Sequence, residues 1–374
     1  MFSQIPEKSK PVVFVGNPTS GWGNLAAWNP IDSISLSLDD PHEKLVHFVK
    51  KYSGKFIAGF ITYEYGAKRL NAPIHPLNNH LPAVHFRTYE SCERIDEYER
   101  VGLAEWRSFT PAITKEKYKL DFYRIIDYIR CGEFYQMNYT YPMVSSTEHS
   151  PRLLFQSLRA KNQVDYSAFM EDDSWIIHSL SPEQFIFIQD GVISTKPIKG
   201  TVARSLDSEL DKSLLNQLLR SQKDQAELYM IIDLLRNDLG KVCEFGTVEV
   251  IESKSVQKLE KMYHTYGLIK GKIKKEIHPI EALLSMLPGG SITGCPKKRV
   301  CETIYKLEDH PRSVYTGTIG YILPDGTLNF NIAIRTIVQE GKKLTLGVGG
   351  GITIDSNVDD EYNETIAKAS SFQP

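Results

Sequence analysis

The order of apolar and polar positions along the chain predicts short strands joined by tight turns. Strand patterns lie at residues 174–178, 184–188 and 192–194, and Gln189-Asp190-Gly191 is predicted to be the hairpin turn between the last two. Near the C-terminus the same signals predict a three-stranded meander of residues 315–323, 328–339 and 343–353. Short hairpin links imply antiparallel pairing, so we expect an α+β fold rather than a doubly wound parallel sheet.

Helical periodicity marks two longer segments. An apolar stripe at positions 118, 122, 125, 126 and 129 follows Thr114, which is placed to cap the helix, and residues 207–239 carry one long helical pattern. Residues 71–82, rich in Pro, Asn and His, are predicted to be a surface loop. We place a boundary near residue 110, between a short N-terminal region (1–110) that contributes to a sheet sandwich and a main body (111–374).

Composition narrows the class of protein. The formal net charge of −2 argues against nucleic acid or an anionic membrane as the main partner, because either would favour a basic face. No apolar run reaches the roughly 18 residues of a membrane span, and the N-terminus lacks the build of a signal peptide. The five cysteines form no Cys-x-x-Cys pair, which fits a cytoplasmic protein whose cysteines are simply buried.

Two acidic pairs are candidates for metal binding. Asp224 and Glu227 fall in the long helical pattern, and Glu361 and Glu364 open a C-terminal helix. A spacing of i, i+3 puts both carboxylates of a pair on one helix face. Two such faces could offer hard oxygen ligands to Mg²⁺, although acidic pairs on helices are more often simply solvated.

Glycine-rich segments and one lysine add further candidates. Residues 288–294, 315–317 and 349–351 could bring backbone N–H groups to an anion, or could be turns that need a positive φ. None matches a Walker A or a dinucleotide-binding loop. Lys199 stands between a strand and a turn among apolar residues, so it is either a nucleophile or a surface lysine at a strand end.

Taken together, these segments resemble the chorismate-utilising enzymes, which include anthranilate synthase component I, aminodeoxychorismate synthase component I, and the isochorismate and salicylate synthases. The blocks that carry the resemblance run in family order over about two thirds of the chain. They are Gly132 to Asn138, Ser181-Pro182-Glu183, Pro197 to Thr201, Lys223 to Glu227, Asp233 to Gly240, Thr293 to Lys297, Ile334-Arg335-Thr336, and Gly349 to Glu364.

The resemblance implies roles for these positions. Glu227 and Glu364 would be Mg²⁺ ligands, supported by Asp224 and Glu361. Glu183 would be the general acid, and His264 falls where the family keeps an active-site histidine. The implied substrate contacts are Arg335, Tyr315, Ser291, Lys368, Gln136 and the backbone of Gly349, Gly350 and Gly351.

Two positions divide the family by chemistry. Members that add water carry a lysine base where this chain has Gln136, and an amide cannot deprotonate water. Anthranilate synthases typically carry alanine where this chain has Lys199, which resembles the nucleophile of the members that aminate C4. Gly267 replaces a usual serine, and no Leu-Leu-Glu-Ser-like element for binding tryptophan is found.

The resemblance therefore implies two interleaved subdomains with antiparallel sheets packed face to face, helices outside, and an active site in the cleft between them. The expected activity is amination of chorismate at C4, for 4-aminobenzoate and folate biosynthesis, with ammonia from a separate glutamine amidotransferase subunit. Formation of anthranilate or of 2-amino-2-deoxyisochorismate is the alternative within the family. A catalytically inactive binding or regulatory module on the same fold is the alternative outside enzymes.

Overall fold

The computed structural model describes residues 2–17, 20–77, 81–95, 103–258 and 262–374. Its contacts divide the chain into two compact units. Unit 1 comprises Met1–Pro182 and Leu287–Pro374, and unit 2 comprises the intervening Glu183–Met286. The short N-terminal region predicted for residues 1–110 is a different kind of division, which these units do not test, and it stays a prediction.

The strands follow one another along the chain, and β11 to β15 belong to unit 2. They are β1 (Val12–Val15), β2 (Leu25–Ala27), β3 (Asp32–Leu36), β4 (Phe56–Ile61), β5 (Val84–Tyr89), β6 (Glu93–Arg94), β7 (Thr110–Pro111), β8 (Gln136–Ser146), β9 (Tyr166–Glu171), β10 (Ile176–Ser181), β11 (Gln184–Gln189), β12 (Val192–Lys196), β13 (Ile198–Ala203), β14 (Glu249–Lys258), β15 (Met262–Lys272), β16 (Gly294–Cys295), β17 (Thr318–Ile322), β18 (Leu328–Ile332), β19 (Thr336–Glu340) and β20 (Lys343–Ile352).

The helices fall between these strands, and α5 to α7 belong to unit 2. They are α1 (Glu43–Lys51), α2 (Tyr63–Arg69), α3 (Lys115–Arg130), α4 (Pro151–Lys161), α5 (Ser208–Arg220), α6 (Gln222–Val242), α7 (Pro279–Met286), α8 (Lys297–Leu307) and α9 (Val358–Ser370), with a 3₁₀ turn at Gly290–Ile292. None of the helices in the described parts of the chain is long and apolar enough to cross a membrane.

Unit 1 contains two antiparallel arrays of strands. The first runs in the order β16-β8-β20-β19-β10-β9-β1-β2-β6, with β7 beside β8, and the second runs β18-β17-β4-β5-β3. Aromatic side chains fill the space between them: Phe14 of β1 contacts Phe56 of β4 and Tyr321 of β17 at ring-centroid distances of 6.3 and 4.9 Å. The two arrays therefore pack face to face, as expected.

Helices cover the other face of the first array. Buried side chains of α3, α4, α8 and α9 join those of β8, β9, β19 and β20 in one apolar cluster. The helix predicted after Thr114 is confirmed as α3, because the Thr114 hydroxyl accepts a hydrogen bond from the backbone N–H of Lys117 at 3.1 Å.

Unit 2 has its own antiparallel strands. They run in the order β11-β12-β15-β13, and β14 also pairs with β15. The predicted hairpin between β11 and β12 is confirmed: Asp190 and Gly191 at its turn have φ of 50° and 74°, as a two-residue hairpin turn requires. With antiparallel sheets and helices in both units, the α+β fold class is confirmed.

Two predicted elements were wrong. The long helix is two helices, because Ser221 ends α5 in an extended conformation and its hydroxyl caps α6 by accepting from the N–H of Asp224 at 3.2 Å. The C-terminal meander is two hairpins, β17–β18 and β19–β20, which belong to different arrays of unit 1. The chain changes array between Ile332 and Thr336, where Arg335 adopts a φ of 49°.

The five cysteines are all free. Only Cys243 and Cys301 are buried, and Cys131 is exposed at the C-terminus of α3. Cys92 and Cys295 are half-buried, so the expectation that all five are simply buried was wrong for these two and for Cys131.

Candidate functional site

The predicted site residues fall in both units. Unit 2 contains Glu183, Lys199, Asp224, Glu227 and His264. Unit 1 contains Gln136, Ser291, Tyr315, Arg335, Gly349, Gly350, Gly351, Glu361, Glu364 and Lys368. The predicted cleft between two subdomains stays a prediction.

Lys199 is the second residue of β13, and its side chain is 18% exposed. Its Nζ lies 3.8 Å from Oε2 of Glu227 on α6. The neighbouring Gly200 has a φ of 80°, and a Cβ at that position would lie 3.1 Å from the carboxyl carbon of Asp224. The close approach of β13 to the first turns of α6 therefore brings the predicted nucleophile close to Asp224 and Glu227.

His264 lies on β15, opposite Thr201 of β13. It is 2% exposed, and its Nδ1 is 2.6 Å from the Thr201 hydroxyl. The next residue, Thr265, donates its hydroxyl hydrogen to the carbonyl of Lys199. The register of β13 and β15 therefore fixes both the backbone of Lys199 and the ring of His264. Glu183, the predicted general acid, is 6% exposed and directly precedes β11.

In unit 1 the most distinctive feature is a row of glycines on β20. Gly347, Gly349 and Gly351 alternate along the strand, so they share one face of the sheet and leave it without side chains. A Cβ at Gly347 would lie 2.2 Å from the ring of Tyr315, and one at Gly351 would lie 2.2 Å from Nε2 of Gln136. The Tyr315 ring therefore lies over Gly347 and the Gln136 amide over Gly351, and we call the face of β20 formed by Gly347, Gly349 and Gly351 the glycine trough.

Gln136 presents an amide to this trough from the interior. Its side chain is 2% exposed, and its Oε1 has no hydrogen-bond partner among the residues that the structure describes. A buried carbonyl oxygen without a donor is costly, so it is suited to accept a hydrogen bond from a bound molecule.

Arg335 occupies the crossover between β18 and β19. Its guanidinium has no hydrogen bond or ion pair within the described parts of the chain, and burial lowers its pKa. Such a cation favours a bound anion, and its planar fork matches a carboxylate. Tyr315 is 9% exposed, and burial raises the pKa of its phenol, which therefore stays protonated and able to donate. Ser291 lies in the 3₁₀ turn before β16.

The second acidic pair lies on α9. Glu361 is 3% exposed and accepts a hydrogen bond from Ser356 at 2.6 Å. Glu364 is paired with Lys368 at 2.7 Å, and Lys368 also donates to the carbonyl of Gly349 at 3.0 Å. A Cβ at Gly350 would lie 3.3 Å from Oε2 of Glu361. The predicted carboxylates and the glycine strand are thus adjacent in unit 1.

These carboxylates fit Mg²⁺ in their chemistry. Mg²⁺ is usually held by one or two carboxylates together with water and substrate oxygens, and each acidic pair offers that number of hard ligands. Within the described residues no three His, Cys, Asp or Glu side chains are gathered as a closed metal site. The prediction that Glu227 and Glu364 bind Mg²⁺ stays a prediction.

The sequence interpretation missed a buried ionic network in unit 1. Arg312 is 4% exposed as a residue and is paired with Glu308, which is 1% exposed, at 2.6 Å. Burial acts to lower the pKa of Arg312, but the Glu308 carboxylate outweighs it and raises the pKa above its ordinary value. An i, i+4 spacing of Glu and Arg can indicate an ion pair when both residues lie on one helix. Here Pro311 ends the helical pattern between them, so the sequence did not suggest this pair.

A family model described as "chorismate binding enzyme" matches residues 11–374. Among curated proteins, the chain is 37% identical over 258 residues to aminodeoxychorismate synthase component 1 of Salmonella typhimurium, covering 69% of this chain and 57% of that protein. It is 38% identical over 262 residues to a probable chloroplastic aminodeoxychorismate synthase of Oryza sativa, covering 69% of this chain and 29% of that protein. The chain thus spans little more than half the length of the bacterial relative and less than a third of the plant one.

Among solved structures, anthranilate synthase component I from Streptococcus pneumoniae superposes with a TM-score of 0.82 at 26% identity, over 99% of this chain and 94% of that one. The similarity therefore extends over the whole fold, including residues 1–110.

Proposed function

The chain belongs to the family of chorismate-binding enzymes, and we propose that it makes 4-amino-4-deoxychorismate from chorismate and ammonia, as component I of an aminodeoxychorismate synthase. The relatives named for this activity share 37% and 38% identity with it. The product would feed 4-aminobenzoate and folate biosynthesis. The word "component" in the bacterial relative's name supports a separate partner subunit, for which we propose a glutamine amidotransferase that supplies the ammonia.

The position of Lys199 carries this proposal. Its side chain is largely buried, and its amine lies 3.8 Å from a carboxylate that is itself a predicted metal ligand. A surface lysine at a strand end would instead point into solvent. A buried amine beside an acidic pair is placed to act on a bound substrate.

In the proposed reaction, the Lys199 amine bonds to C2 of chorismate. The ring double bonds shift, the C4–O bond breaks, and Glu183 donates the proton with which the hydroxyl leaves as water. Ammonia then bonds to C4, the double bonds shift back, the C2–N bond to Lys199 breaks, and the new ammonium group at C4 returns a proton to Glu183. The second step restores the lysine, and because C2 is occupied in between, nitrogen enters only at C4.

Unit 1 would bind and orient the substrate. Arg335 has a guanidinium free to form two parallel hydrogen bonds with a carboxylate, and Tyr315, Ser291 and the glycine trough supply further donors or close backbone approach. Lys368 donates to the Gly349 carbonyl and lies near Gly350, whose Cβ position faces away from the trough.

Glu227 and Glu364 would hold the Mg²⁺, with Asp224 and Glu361 beside them. When bound, the cation would neutralise a substrate carboxylate and polarise the oxygens around it. Each predicted direct ligand also has an ammonium partner at one oxygen, Lys199 for Glu227 and Lys368 for Glu364, and the other oxygen would remain for the metal.

Anthranilate formation is the second candidate, since the superposed Streptococcus pneumoniae structure is an anthranilate synthase component I. It would place nitrogen at C2, which the Lys199 intermediate blocks. The presence of Lys199 therefore argues for the C4 product. Gln136, an amide that cannot act as a base toward water, argues against isochorismate.

Replacement of Lys199 tests the proposal. Lys199→Ala should lower formation of the C4 product at least about 100-fold, because covalent catalysis splits one hard step into two easier ones. Any residual product should shift toward amination at C2. Lys199→Arg, which keeps the charge without a usable nucleophile, should be equally impaired.

Lys196→Ala provides a matched control, because Lys196 lies on the preceding strand with its Nζ 4.1 Å from the ring centroid of Tyr266. It should retain most of the activity. Chromatography of products after coupling to a lyase that converts 4-amino-4-deoxychorismate to 4-aminobenzoate provides the readout. Near wild-type C4 product from both Lys199 variants would show that the nucleophile assignment is wrong.

A further inference from the structure

Arg312 makes an unusually complete set of contacts in the interior of unit 1. Its Nε and one terminal nitrogen donate to the two carboxylate oxygens of Glu308 at 2.8 and 2.6 Å. The terminal nitrogens also donate to the carbonyls of Ile292 at 2.9 Å and Asn138 at 2.6 Å. The guanidinium lies over the ring of Tyr63, 4.6 Å from its centroid. One side chain therefore connects four separate segments of the chain.

Two of these segments carry predicted substrate contacts. Ile292 directly follows Ser291 in the 3₁₀ turn, and Asn138 lies two residues after Gln136 on the same face of β8. Glu308 extends the connection, because its oxygens accept from the N–H and the hydroxyl of Thr140 at 2.9 and 3.0 Å. The pair thus contacts β8 at both Asn138 and Thr140, across from the glycines of β20.

The backbone of Arg312 is fixed as well. Both carboxylate oxygens of Glu64 accept backbone hydrogen bonds, from Arg312 at 2.6 Å and from Ser313 at 3.0 Å. Ser313 and Thr316 have φ of 62° and 61°, a region that side chains other than glycine rarely occupy. Tyr315 lies between these two residues. The strained loop that places its ring over Gly347 is therefore held by the Glu64 carboxylate and anchored by the Arg312 side chain.

We infer that Arg312 is a positioning residue that sets the spacing of Ser291, Gln136 and Tyr315 around the glycine trough. It touches none of the reacting atoms, and its effect on substrate passes through the segments it holds. The inference concerns the proposed chorismate site, so the identity of its substrate rests on the proposed function. The dependence of these segments on Arg312 is a matter of geometry and does not rest on the proposed function.

This set of contacts requires an arginine side chain. A planar guanidinium can reach Glu308 with two nitrogens and still serve two carbonyls, whereas the three donors of a lysine ammonium sit at one point. Arg312→Lys keeps the charge and loses part of this geometry. We expect the KM for chorismate to rise about tenfold, with kcat changed less than about threefold, because ground-state binding is what the segments provide.

Arg87 offers a matched control in the same unit. Its side chain is 1% exposed, pairs with Asp172, and donates to the carbonyls of Lys10 at 3.1 Å and Glu171 at 2.8 Å. Its guanidinium carbon also lies 5.4 Å from the ring centroid of Trp175. None of its partners belongs to a segment with a predicted substrate contact. Arg87→Lys should therefore lower the melting temperature as Arg312→Lys does, but should leave the KM unchanged.

The test combines kinetics with hydrogen exchange on the full chain. In Arg312→Lys, backbone exchange should rise in residues 138–140, 291–293 and 313–316, and Arg87→Lys should leave these segments as in wild type. Glu64→Gln is a milder change, which weakens only the hydrogen bonds to the backbone of residues 312 and 313. It should raise exchange in residues 313–316 and raise the KM. This variant provides the test if Arg312→Lys does not fold.

The outcomes separate the two proposals. If the wild type does not turn over chorismate, the proposed function is wrong, and the exchange data alone decide on Arg312. If the wild type is active but Arg312→Lys and Glu64→Gln leave the KM within twofold, Arg312 positions nothing for the substrate. Unchanged exchange in the three segments, or an equal rise with Arg87→Lys, would also overturn the inference.

Discussion

At the scale of single residues, His178 of β10 is a buried histidine with only one of its two nitrogens satisfied. Its Nε2 is 2.9 Å from Oε1 of Gln339, whose own amide donates to the carbonyl of Gly341, so Nε2 carries the proton. Nδ1 has no partner among the described residues. Burial lowers the pKa of His178 to about 4 from an ordinary 6.5.

A lowered histidine pKa destabilises the fold in acid. The unfolded chain takes up a proton at His178 near pH 6.5 and the folded chain only near pH 4, so the contribution is complete above pH 6.5 and is lost as the pH falls toward 4. At 1.36 kcal/mol per pKa unit, the loss is on the order of 3 kcal/mol.

Denaturant titrations at several pH values check this expectation. His178→Gln keeps a donor for Gln339 without a titrating group, so it should reduce the fall in unfolding free energy between pH 6.5 and 4. The fall should not vanish, because burial, followed by the charge of Arg87, lowers the pKa of His85 to about 3. An unchanged pH dependence in the variant would contradict the role given to His178.

Residue identities were also where the sequence was most informative. Lys199, Gln136 and Arg335 could be singled out because their types matched a known chemical pattern at a known place in the chain. Arg312 could not, since nothing in the sequence near it indicates that it reaches Asn138 and Ile292, 174 and 20 residues away.

At the scale of elements, Gly349, Gly350 and Gly351 lie within β20 and none has a positive φ, so the structure excludes the turn that was the alternative to a binding site. Gly347→Ala should weaken chorismate binding about tenfold or more, because its Cβ would lie 2.2 Å from the Tyr315 ring, and relieving such overpacking costs about 1–3 kcal/mol.

Gly240→Ala is the control for that substitution. Gly240 lies within α6 with open space around its added Cβ, so alanine there should stabilise the chain by up to about 1 kcal/mol. The KM for chorismate and the melting temperature of both variants test this prediction. An unchanged KM in Gly347→Ala would mean that the ring of Tyr315 does not contribute to substrate binding.

Element boundaries were predicted less well than element types. The α5–α6 break was missed because no glycine or proline marks it in the sequence; the extended backbone of Ser221 and its cap hydrogen bond show it in the structure. The β18–β19 crossover was missed because residues 328–339 contain no glycine or proline that would mark a turn, although the chain changes array within them. A non-glycine residue with positive φ, such as Arg335, gives no signal in sequence.

At the scale of the whole molecule, local patterns could indicate the fold class but not which strands are neighbours. β8 pairs with β20, so Tyr139 faces Gly350 across 211 positions of sequence. No local signal specifies such a pairing, because the free energy that selects it comes from burial of the completed core. The resemblance implied interleaved subdomains, but no local pattern placed the bounds of unit 2 at Glu183 and Met286.

The central claim, that this chain aminates chorismate at C4, is tested most directly by the product of the wild-type chain. Chorismate, ammonium and Mg²⁺ should give 4-amino-4-deoxychorismate, identified by mass and by its conversion to 4-aminobenzoate with an added lyase. Excess EDTA should abolish the product, and glutamine should not replace ammonium unless an amidotransferase is added. Anthranilate as the main product, or full activity in EDTA, would contradict the account.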